Sequence, residues 1–248
     1  MMFTPRHLLT PPVRYLKVKM TAGEPGEEGE MMALSRKQQQ ILEGLMERYP
    51  VLETVRGAVL EAYQVLEDCY CRGNKLLIAG NGGSCADAEH IVGELMKGFK
   101  RQRELPAELQ DRLRAEGGEE GELLAAKLQG SLPAIALNGH PGLSTAFAND
   151  VNGDMVYAQQ VCGYGVPGDV FLGISTSGNA RNVDYAVTAA KAKSMKVVGL
   201  TGRDGGKLAK RADVAVIVPE EETYKIQELH LPVYHTLCLL LEERFFAL

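Results

Sequence analysis

Two loops of small residues carry side chains of the kind that could hold a phosphate group. The first is Gly80-Asn81-Gly82-Gly83-Ser84, and the second is Ser175-Thr176-Ser177-Gly178-Asn179. Each loop follows an apolar run and precedes a helical pattern. Glycine lets the backbone approach a ligand closely, and a helix start offers unpaired N–H groups and the positive end of the helix dipole. With hydroxyls added, the two loops predict a cleft for a phosphorylated small molecule.

Two groups of ionisable residues could supply acid–base chemistry or hold a metal ion. Asp87, His90 and Glu94 follow the first loop, and His90 and Glu94 are one helical turn apart, so they share a helix face. The second group opens the last helical segment and consists of Gln227, Glu228, His230 and His235. A carboxylate and an imidazole tuned toward neutrality can move protons at a carbonyl. Histidines with a carboxylate and an amide oxygen could instead bind zinc, and ordinary polar helix faces are the remaining alternative.

The first loop does not match the common nucleotide-binding loops. In the Gly-x-Gly-x-x-Gly dinucleotide pattern its third glycine would be Cys85, which does not allow the usual close packing of helix on strand. No acidic residue ends a strand about 20 positions further on. The loop also lacks the Gly-Lys-Ser/Thr ending of a P-loop. The sequence therefore argues against a nucleotide cofactor at this loop.

Five apolar runs alternate with helical stretches and must position these loops. The runs are Leu76–Ala79, Pro133–Leu137, Val170–Ile174, Lys196–Leu200 and Val214–Val218. The main helical stretches are Ala86–Met96, Ala180–Ala192, Gly206–Arg211 and Ile226–Phe246. This alternation predicts an α/β fold, a three-layer sandwich with a five-stranded parallel sheet. Right-handed crossovers place the loops after the strands along one edge, where ligands bind in such folds.

Two further segments surround this alternating pattern. From Ser35 to about Arg72 apolar residues recur at helical spacing, and Pro50 divides them into an N-terminal helical hairpin. Residues 101–130 form a charged insertion with helical character in Pro106–Arg114 and Gly121–Leu128. A connection of this length needs structure of its own or a role such as a lid, or it is simply a solvated insertion.

The first 34 residues differ in composition from the rest of the chain. Basic residues precede an acidic, glycine-containing stretch from Glu24 to Glu30, and no continuous apolar segment resembles a secretory signal. We expect residues 1–34 to be a disordered tail and residues 35–248 to form a single domain.

Composition excludes several classes of partner. The formal net charge is −5 and the isoelectric point about 5.6, and no basic stripe suits a nucleic acid. No apolar run approaches the roughly 20 residues that span a bilayer. The five cysteines form no C-x-x-C pair, which fits a reducing cytoplasm. We expect a cytoplasmic protein that binds neither nucleic acid nor membrane.

In order and spacing, these motifs resemble those of the bacterial phosphoheptose isomerases, which belong to the sugar isomerase (SIS) domain superfamily. The similarity runs from about residue 40 to the C-terminus and is interrupted by the insertion. The segments that carry it are Gly80–Ser84, Asp87-Ala88…His90…Glu94-Leu95, Ala148-Asn149-Asp150, Gly173–Asn179, Leu200-Thr201-Gly202…Asp204-Gly205-Gly206 and Ile226-Gln227-Glu228…His230…His235.

The resemblance implies an SIS fold assembled as a homotetramer with active sites built between subunits. It implies an aldose–ketose isomerase that converts sedoheptulose 7-phosphate to D-glycero-D-manno-heptose 7-phosphate through an enediol, with Glu94 as the base and His235 as the second acid/base. The implied ligands of one zinc ion per site are His90, Glu94, Gln227 and His235. The implied substrate-binding residues are Asn81, Gly82, Gly83, Ser84, Asp150, Ser175, Thr176, Ser177, Asn179 and Gln227.

The chain departs from the family pattern at a few positions, and other functions compete. Ala180 stands where the family often has serine, Lys97-Gly98 where Gly-Arg is common, and Tyr224 where an acidic residue is usual. These departures bear on the identity of the sugar more than on the reaction. The main alternative is a non-catalytic SIS regulator or adaptor, although the adaptors lack counterparts of Glu94 and His235. In a third alternative, the two groups of ionisable residues only stabilise an oligomer interface. The presence of both phosphate loops argues against this alternative.

Overall fold

The computed structural model describes residues 34–247, and within them the chain forms a sheet of five parallel strands with helices on both faces. The strands are β1 (Leu76–Gly80), β2 (Ala134–Ala136), β3 (Val170–Ser175), β4 (Lys196–Thr201) and β5 (Val214–Ile217). Their order in the sheet is β2-β1-β3-β4-β5, and all neighbouring pairs are parallel. The predicted α/β class and five-stranded parallel sheet are therefore confirmed. The prediction for residues 1–33 lies outside the described residues.

Helices form the two outer layers. They are α1 (Arg36–Arg48), α2 (Arg56–Cys71), α3 (Gly83–Met96), α4 (Ala107–Lys127), α5 (Pro141–Phe147), α6 (Val156–Tyr164), α7 (Arg181–Ala192), α8 (Gly206–Arg211) and α9 (Thr223–Phe246). One apolar core joins α1, α2, α3 and α9 to the sheet, and a second joins α6, α7 and α8 to the opposite face. Strand β1 serves both cores, since Leu76 and Ile78 enter the first and Leu77 and Ala79 the second.

The N-terminal helical hairpin is also confirmed. Ser35 caps α1 in a capping box with Gln38, whose side chain hydrogen-bonds back to the Ser35 backbone. Pro50 opens a turn of 3-10 helix at Pro50–Val55 between α1 and α2, because proline lacks the N–H that would continue the first helix. The hairpin buries its apolar face against α9. In the described part of the chain, no helix combines the length and the apolar character needed to cross a membrane.

Residues 101–130 contain helix α4, which is sharply kinked at Gly118. The φ of Gly118 is 53°, a left-handed conformation that suits glycine, and it divides the helix into halves close to the two predicted segments. Residues 98–103 and 129–130 form a neck that joins α4 to the rest of the fold. In it, the Gly130 N–H donates to Arg103 O at 2.9 Å and the Gly98 N–H donates to Gln129 Oε1 at 2.7 Å. The two ends of the segment are therefore tied together where it leaves the sheet.

Candidate active site

The two hydroxyl-bearing loops open side by side at the centre of the sheet. Strands β1 and β3 are neighbours, with Gly80 paired to Ile174. From this pair the chain builds outward in opposite directions, to β2 on one side and to β4 and β5 on the other. Crossover connections therefore lead away on both sides and leave a crevice at the carboxyl ends of β1 and β3. The structure thus brings the two predicted phosphate loops to one crevice.

Polar contacts from three distant segments hold the first loop. The carbonyl of Gly80 accepts hydrogen bonds from Tyr157 Oη at 2.8 Å and from Asn138 Nδ2 at 2.7 Å. The side-chain amides of Asn81 and Asn182 exchange a pair of hydrogen bonds, at 2.9 and 2.8 Å. Asn81 is therefore engaged in joining the loop to α7. Sequence reasoning missed Tyr157, Asn138 and Asn182, because no local pattern marks residues that meet the loop only through the fold.

The second loop packs on the loop that follows β4. Gly178 has a φ of +64°, and a Cβ at this position would overlap the carbonyl oxygen of Gly205. The side chain of Asn179 donates to Ser177 O at 2.7 Å and accepts from the Lys207 N–H at 3.2 Å. Asn179, predicted to bind substrate, therefore uses its amide to shape this loop.

Three of the four hydroxyls in the two loops have no hydrogen-bond partner among residues 34–247. Ser84 lies in the first turn of α3 and is 2% exposed, and Ser175 ends β3 and is 6% exposed. The Ser84, Ser175 and Thr176 hydroxyls form no side-chain hydrogen bond to another described residue, whereas Ser177 Oγ accepts from the Asn179 N–H at 3.2 Å. Hydroxyls left in this way beside the start of a helix, as Ser84 is, suit an anionic ligand.

A second constellation lies further along α3, where it meets α9. His90 Nε2 is 3.3 Å from Glu94 Oε1 and 3.4 Å from His235 Nε2. The Tyr234 hydroxyl lies 3.0 Å from His90 Nδ1 and 3.2 Å from Asp87 Oδ1. These contacts join residues almost 150 positions apart, because α3 and α9 pack together. The fold thus brings Glu94 and His235, predicted as acid and base, to one cluster.

Burial and neighbouring polar groups shift the pKa values of His235 and Asp87 in this cluster. Burial lowers the pKa of His235, and His90 adds to this effect, while Glu94 opposes it. Burial raises the pKa of Asp87, against the opposite effects of the Tyr234 hydrogen bond and of His90. A lowered imidazole pKa keeps His235 neutral at physiological pH, the state in which one ring nitrogen accepts a proton and the other donates one.

The donor atoms around His90 partly fit a zinc site. Tetrahedral zinc with bonds of about 2.0–2.1 Å requires ligand atoms roughly 3.3–3.4 Å apart, which matches the two distances from His90 Nε2. Glu94, however, turns its other oxygen to Lys97 Nζ at 3.1 Å. No group of three or more His, Cys, Asp and Glu side chains in residues 34–247 is assembled into a metal-binding cluster.

Gln227 lies apart from the His90 cluster, and Asp150 lies on a different element. A Cβ on Gly83 would come within 2.6 Å of Gln227 Nε2, so Gln227 sits against the start of α3, about 10 Å of helix before His90. This position suits the predicted substrate contact, and it separates Gln227 from the other three implied zinc ligands. Asp150 lies on an exposed π-helical turn, Ala148–Asn152, where it accepts a hydrogen bond from Asn149.

Comparison with known proteins agrees with this architecture. A family model described as SIS domain matches residues 143–240. Phosphoheptose isomerase from Citrifermentans bemidjiense is 37% identical over 190 residues, which is 77% of this chain and 85% of the relative. The corresponding protein from Methylibium petroleiphilum is 40% identical over 189 residues, 75% of this chain and 82% of the relative.

Solved structures give the same result. The phosphoheptose isomerase of Neisseria gonorrhoeae is 32% identical, covers 84% of this chain and 94% of its own, and superposes with a TM-score of 0.62. That of Francisella tularensis is 28% identical, covers 84% and 97%, and has a TM-score of 0.65.

The sheet order and its switch point are those of a doubly wound α/β fold, and the match of residues 143–240 to the SIS domain model identifies the class as SIS-domain proteins. Within that class, identity of 37–40% over most of this chain and of its relatives identifies the narrower group. The chain belongs to the phosphoheptose isomerase family, and it is an enzyme of the isomerase class.

Proposed function

We propose that this enzyme converts sedoheptulose 7-phosphate to D-glycero-D-manno-heptose 7-phosphate, moving the carbonyl from C2 to C1 through an enediol. A base removes a proton from C1, a proton returns at C2, and protons are exchanged between the two oxygens, so no external oxidant or reductant is needed. The observation that carries the proposal is that Glu94 and His235 both contact His90 on α3, the helix that follows the first of the two hydroxyl loops. The two loops share one crevice. The convergence of Glu94 and His235 on His90 also argues against a non-catalytic regulator or adaptor.

The phosphate of the substrate would be bound by the two loops. We assign it to the hydroxyls of Ser84, Ser175, Thr176 and Ser177, with the backbone of Gly82 and Gly83 and the start of α3 adding N–H groups and a favourable dipole. Asn81, Asp150 and Gln227 are proposed to contact the sugar hydroxyls. Asn179 contributes by holding the second loop in shape.

The length of α3 between the two regions favours a long substrate. Ser84 and Glu94 are separated by about 15 Å of helix, at roughly 1.5 Å per residue. An extended seven-carbon sugar phosphate measures about 10 Å from phosphorus to C1, at roughly 1.2 Å per bond, while a three-carbon one measures about 5 Å. The seven-carbon substrate leaves the shorter distance for the side chains and their contacts to bridge.

In the proposed reaction Glu94 is the base and His235 the second acid/base. The Glu94 side chain is only 12% exposed, so its carboxylate is shielded from bulk water. His235, whose pKa is lowered mainly by burial, is neutral and can pass a proton between the two substrate oxygens.

We further propose that the site binds zinc through His90, Glu94 and His235, with Gln227 as the fourth implied ligand. Bound zinc would polarise the substrate oxygens and stabilise negative charge on the enediolate. The spacing of the nitrogen and oxygen atoms around His90 supports the first three ligands. Gln227 would have to leave its contact with Gly83 to join them.

The assembly is proposed to be a homotetramer in the cytoplasm, with residues 35–248 as one SIS domain. A groove of about 840 Å³ beside His235, between α1 and α9, supports the idea that a neighbouring subunit completes the site. Leu231 on α9 is 40% exposed at this groove, which suits burial in an interface. Light scattering coupled to size-exclusion chromatography measures the mass directly.

The deciding experiment is incubation with five-, six- and seven-carbon sugar phosphates in deuterated water, followed by NMR of C1 and C2. We expect exchange and isomerisation to be fastest with sedoheptulose 7-phosphate. Glu94→Gln and His235→Ala should each lower turnover by roughly 10²–10⁴-fold, the usual contribution of a general acid or base. Glu89→Gln, the same change on an exposed residue of α3, is the matched control. Deuterium incorporation at the wild-type rate in both active-site variants would refute the assignment.

A further inference from the structure

The hydroxyl of Tyr234 lies between two polar groups of α3. It is 3.2 Å from Asp87 Oδ1 and 3.0 Å from His90 Nδ1. The Tyr234 ring is 1% exposed and packs edge-on against the rings of His90 and His235, at centroid distances of 5.5 and 5.0 Å. The ring is therefore held in one position, and its hydroxyl cannot turn away from either partner.

Counting protons determines how this chain of hydrogen bonds is arranged. A tyrosine hydroxyl has one proton to donate, and an ionised carboxylate can only accept. Tyr234 therefore donates to Asp87, and its oxygen is left to accept from His90. If the His90 ring carries a single proton, that proton must then be on Nδ1.

The opposite ring nitrogen of His90 faces the proposed reaction centre. His90 Nε2 lies 3.3 Å from Glu94 Oε1 and 3.4 Å from His235 Nε2. With the proton on Nδ1, Nε2 presents a lone pair to these two groups. A nitrogen lone pair and a carboxylate oxygen repel each other unless a proton or a cation lies between them. The arrangement therefore favours binding of a proton or a cation at this point.

We propose that Asp87 and Tyr234 are positioning residues that hold His90 in its Nδ1-protonated tautomer and direct the Nε2 lone pair toward Glu94 and His235. The inference rests on the proposed function for the role of this cluster, but the tautomer itself is measurable without any substrate. Partners of this kind, which hydrogen-bond to the far nitrogen of a ligand histidine, change metal affinity by about 10–100-fold when removed.

The test uses the full chain labelled with ¹⁵N-histidine and stripped of metal by a chelator. Two-bond proton–nitrogen correlation spectra distinguish the two tautomers of an imidazole, and His90→Gln identifies the His90 signals among the five histidines. We expect wild-type His90 to be protonated on Nδ1. Zinc affinity is measured in parallel by competition with a chelating dye.

Three variants distinguish the effect of the Asp87–Tyr234–His90 hydrogen bonds from that of side-chain packing. Tyr234→Phe keeps the ring and removes the hydroxyl, so His90 should shift toward the Nε2-protonated form and zinc should bind about 10–100-fold more weakly. Asp87→Asn supplies an amide that can donate to Tyr234, which frees the Tyr234 proton for His90 Nδ1 and should reverse the tautomer. Tyr70→Phe, which removes the hydroxyl that donates to Pro133 O at 3.3 Å, is the control and should leave both readouts unchanged.

Two results would overturn the inference. One is a wild-type His90 protonated on Nε2, and the other is an unchanged tautomer in both Tyr234→Phe and Asp87→Asn. If the expected tautomer pattern is found but no sugar phosphate is isomerised, the proposed function is wrong and this inference stands. If a sugar phosphate is isomerised but the tautomer pattern is not found, this inference is wrong and the proposed function stands.

Discussion

Replacing Arg103 with alanine should destabilise the fold more than any surface substitution. Arg103 lies in the neck of the insertion and is fully buried, and its Nε donates to Glu242 Oε1 at 2.9 Å. Its two terminal nitrogens donate to the backbone carbonyls of Leu95 at 2.7 Å and Glu94 at 2.9 Å. One side chain therefore joins α9, the insertion and the C-terminal end of α3.

The magnitude follows from what the substitution leaves behind. Glu242 is 2% exposed and also accepts from the N–H groups of Phe99 and Lys100. Burial alone would raise the pKa of Glu242, but these N–H groups and Arg103 outweigh it and hold the pKa below its ordinary value. Removing Arg103 leaves a buried charge and two helix carbonyls without a donor, a loss of about 3–5 kcal/mol. For a chain of this length that corresponds to a fall in Tm of about 6–20 °C.

The assay is thermal and urea unfolding of Arg103→Ala beside Arg114→Ala. Arg114 is a matched control on α4, because its ion pairs with Asp111 and Glu122 are exposed and their loss should leave Tm nearly unchanged. Replacing Arg103 and Glu242 together with apolar residues should not restore stability, since the N–H groups of Phe99 and Lys100 would lose their acceptor. A fall in Tm below about 2 °C for Arg103→Ala would refute the reasoning.

Two further substitutions test other parts of the structure. Burial lowers the pKa of His230 to about 4, and the backbone of Thr201 opposes this effect only in part. As the pH drops, the unfolded chain therefore takes up this proton before the folded one does. The free energy of unfolding should fall by about 3 kcal/mol between pH 6.5 and pH 4. Urea titrations at each pH should show a flatter dependence for His230→Met. An equally steep profile in the variant would contradict the assignment. Gly83→Ala would place a Cβ 2.6 Å from Gln227 Nε2 and displace that side chain. KM for the sugar phosphate should then rise by up to about tenfold, the equivalent of one lost hydrogen bond, with Tm unchanged. Gly93→Ala, which has nothing within 4 Å of its Cβ, should behave as wild type.

The strands and the loops after them could be predicted because their signals are local. Continuous apolar runs such as Val170–Ser175 are buried on both faces, as expected of central parallel strands, and the composition of each run is sufficient to recognise it. Pro50 likewise marks the break after α1, because proline restricts the backbone and lacks an N–H. His90 and Glu94 share a face simply because they are four residues apart on a helix.

Contacts between distant segments required the tertiary structure. The sequence placed Gln227 and His235 in one cluster on the last helix. The packing of α9 on α3 separates them, with Gln227 beside Gly83 and His235 beside His90. Tyr234 next to His235 was visible in the sequence, yet nothing local indicates that its hydroxyl reaches α3.

The sequence by itself determined that this chain forms a parallel α/β sheet with phosphate-type loops at one edge, because strand burial, helix spacing and turn chemistry act over a few residues. The tertiary structure decided that β1 lies beside β3, which brings the two loops to one crevice. It also decided that Arg103 is neutralised by Glu242, 139 positions away. Such pairings depend on how whole helices pack against the sheet, and the free energy of that packing is spread over the entire core.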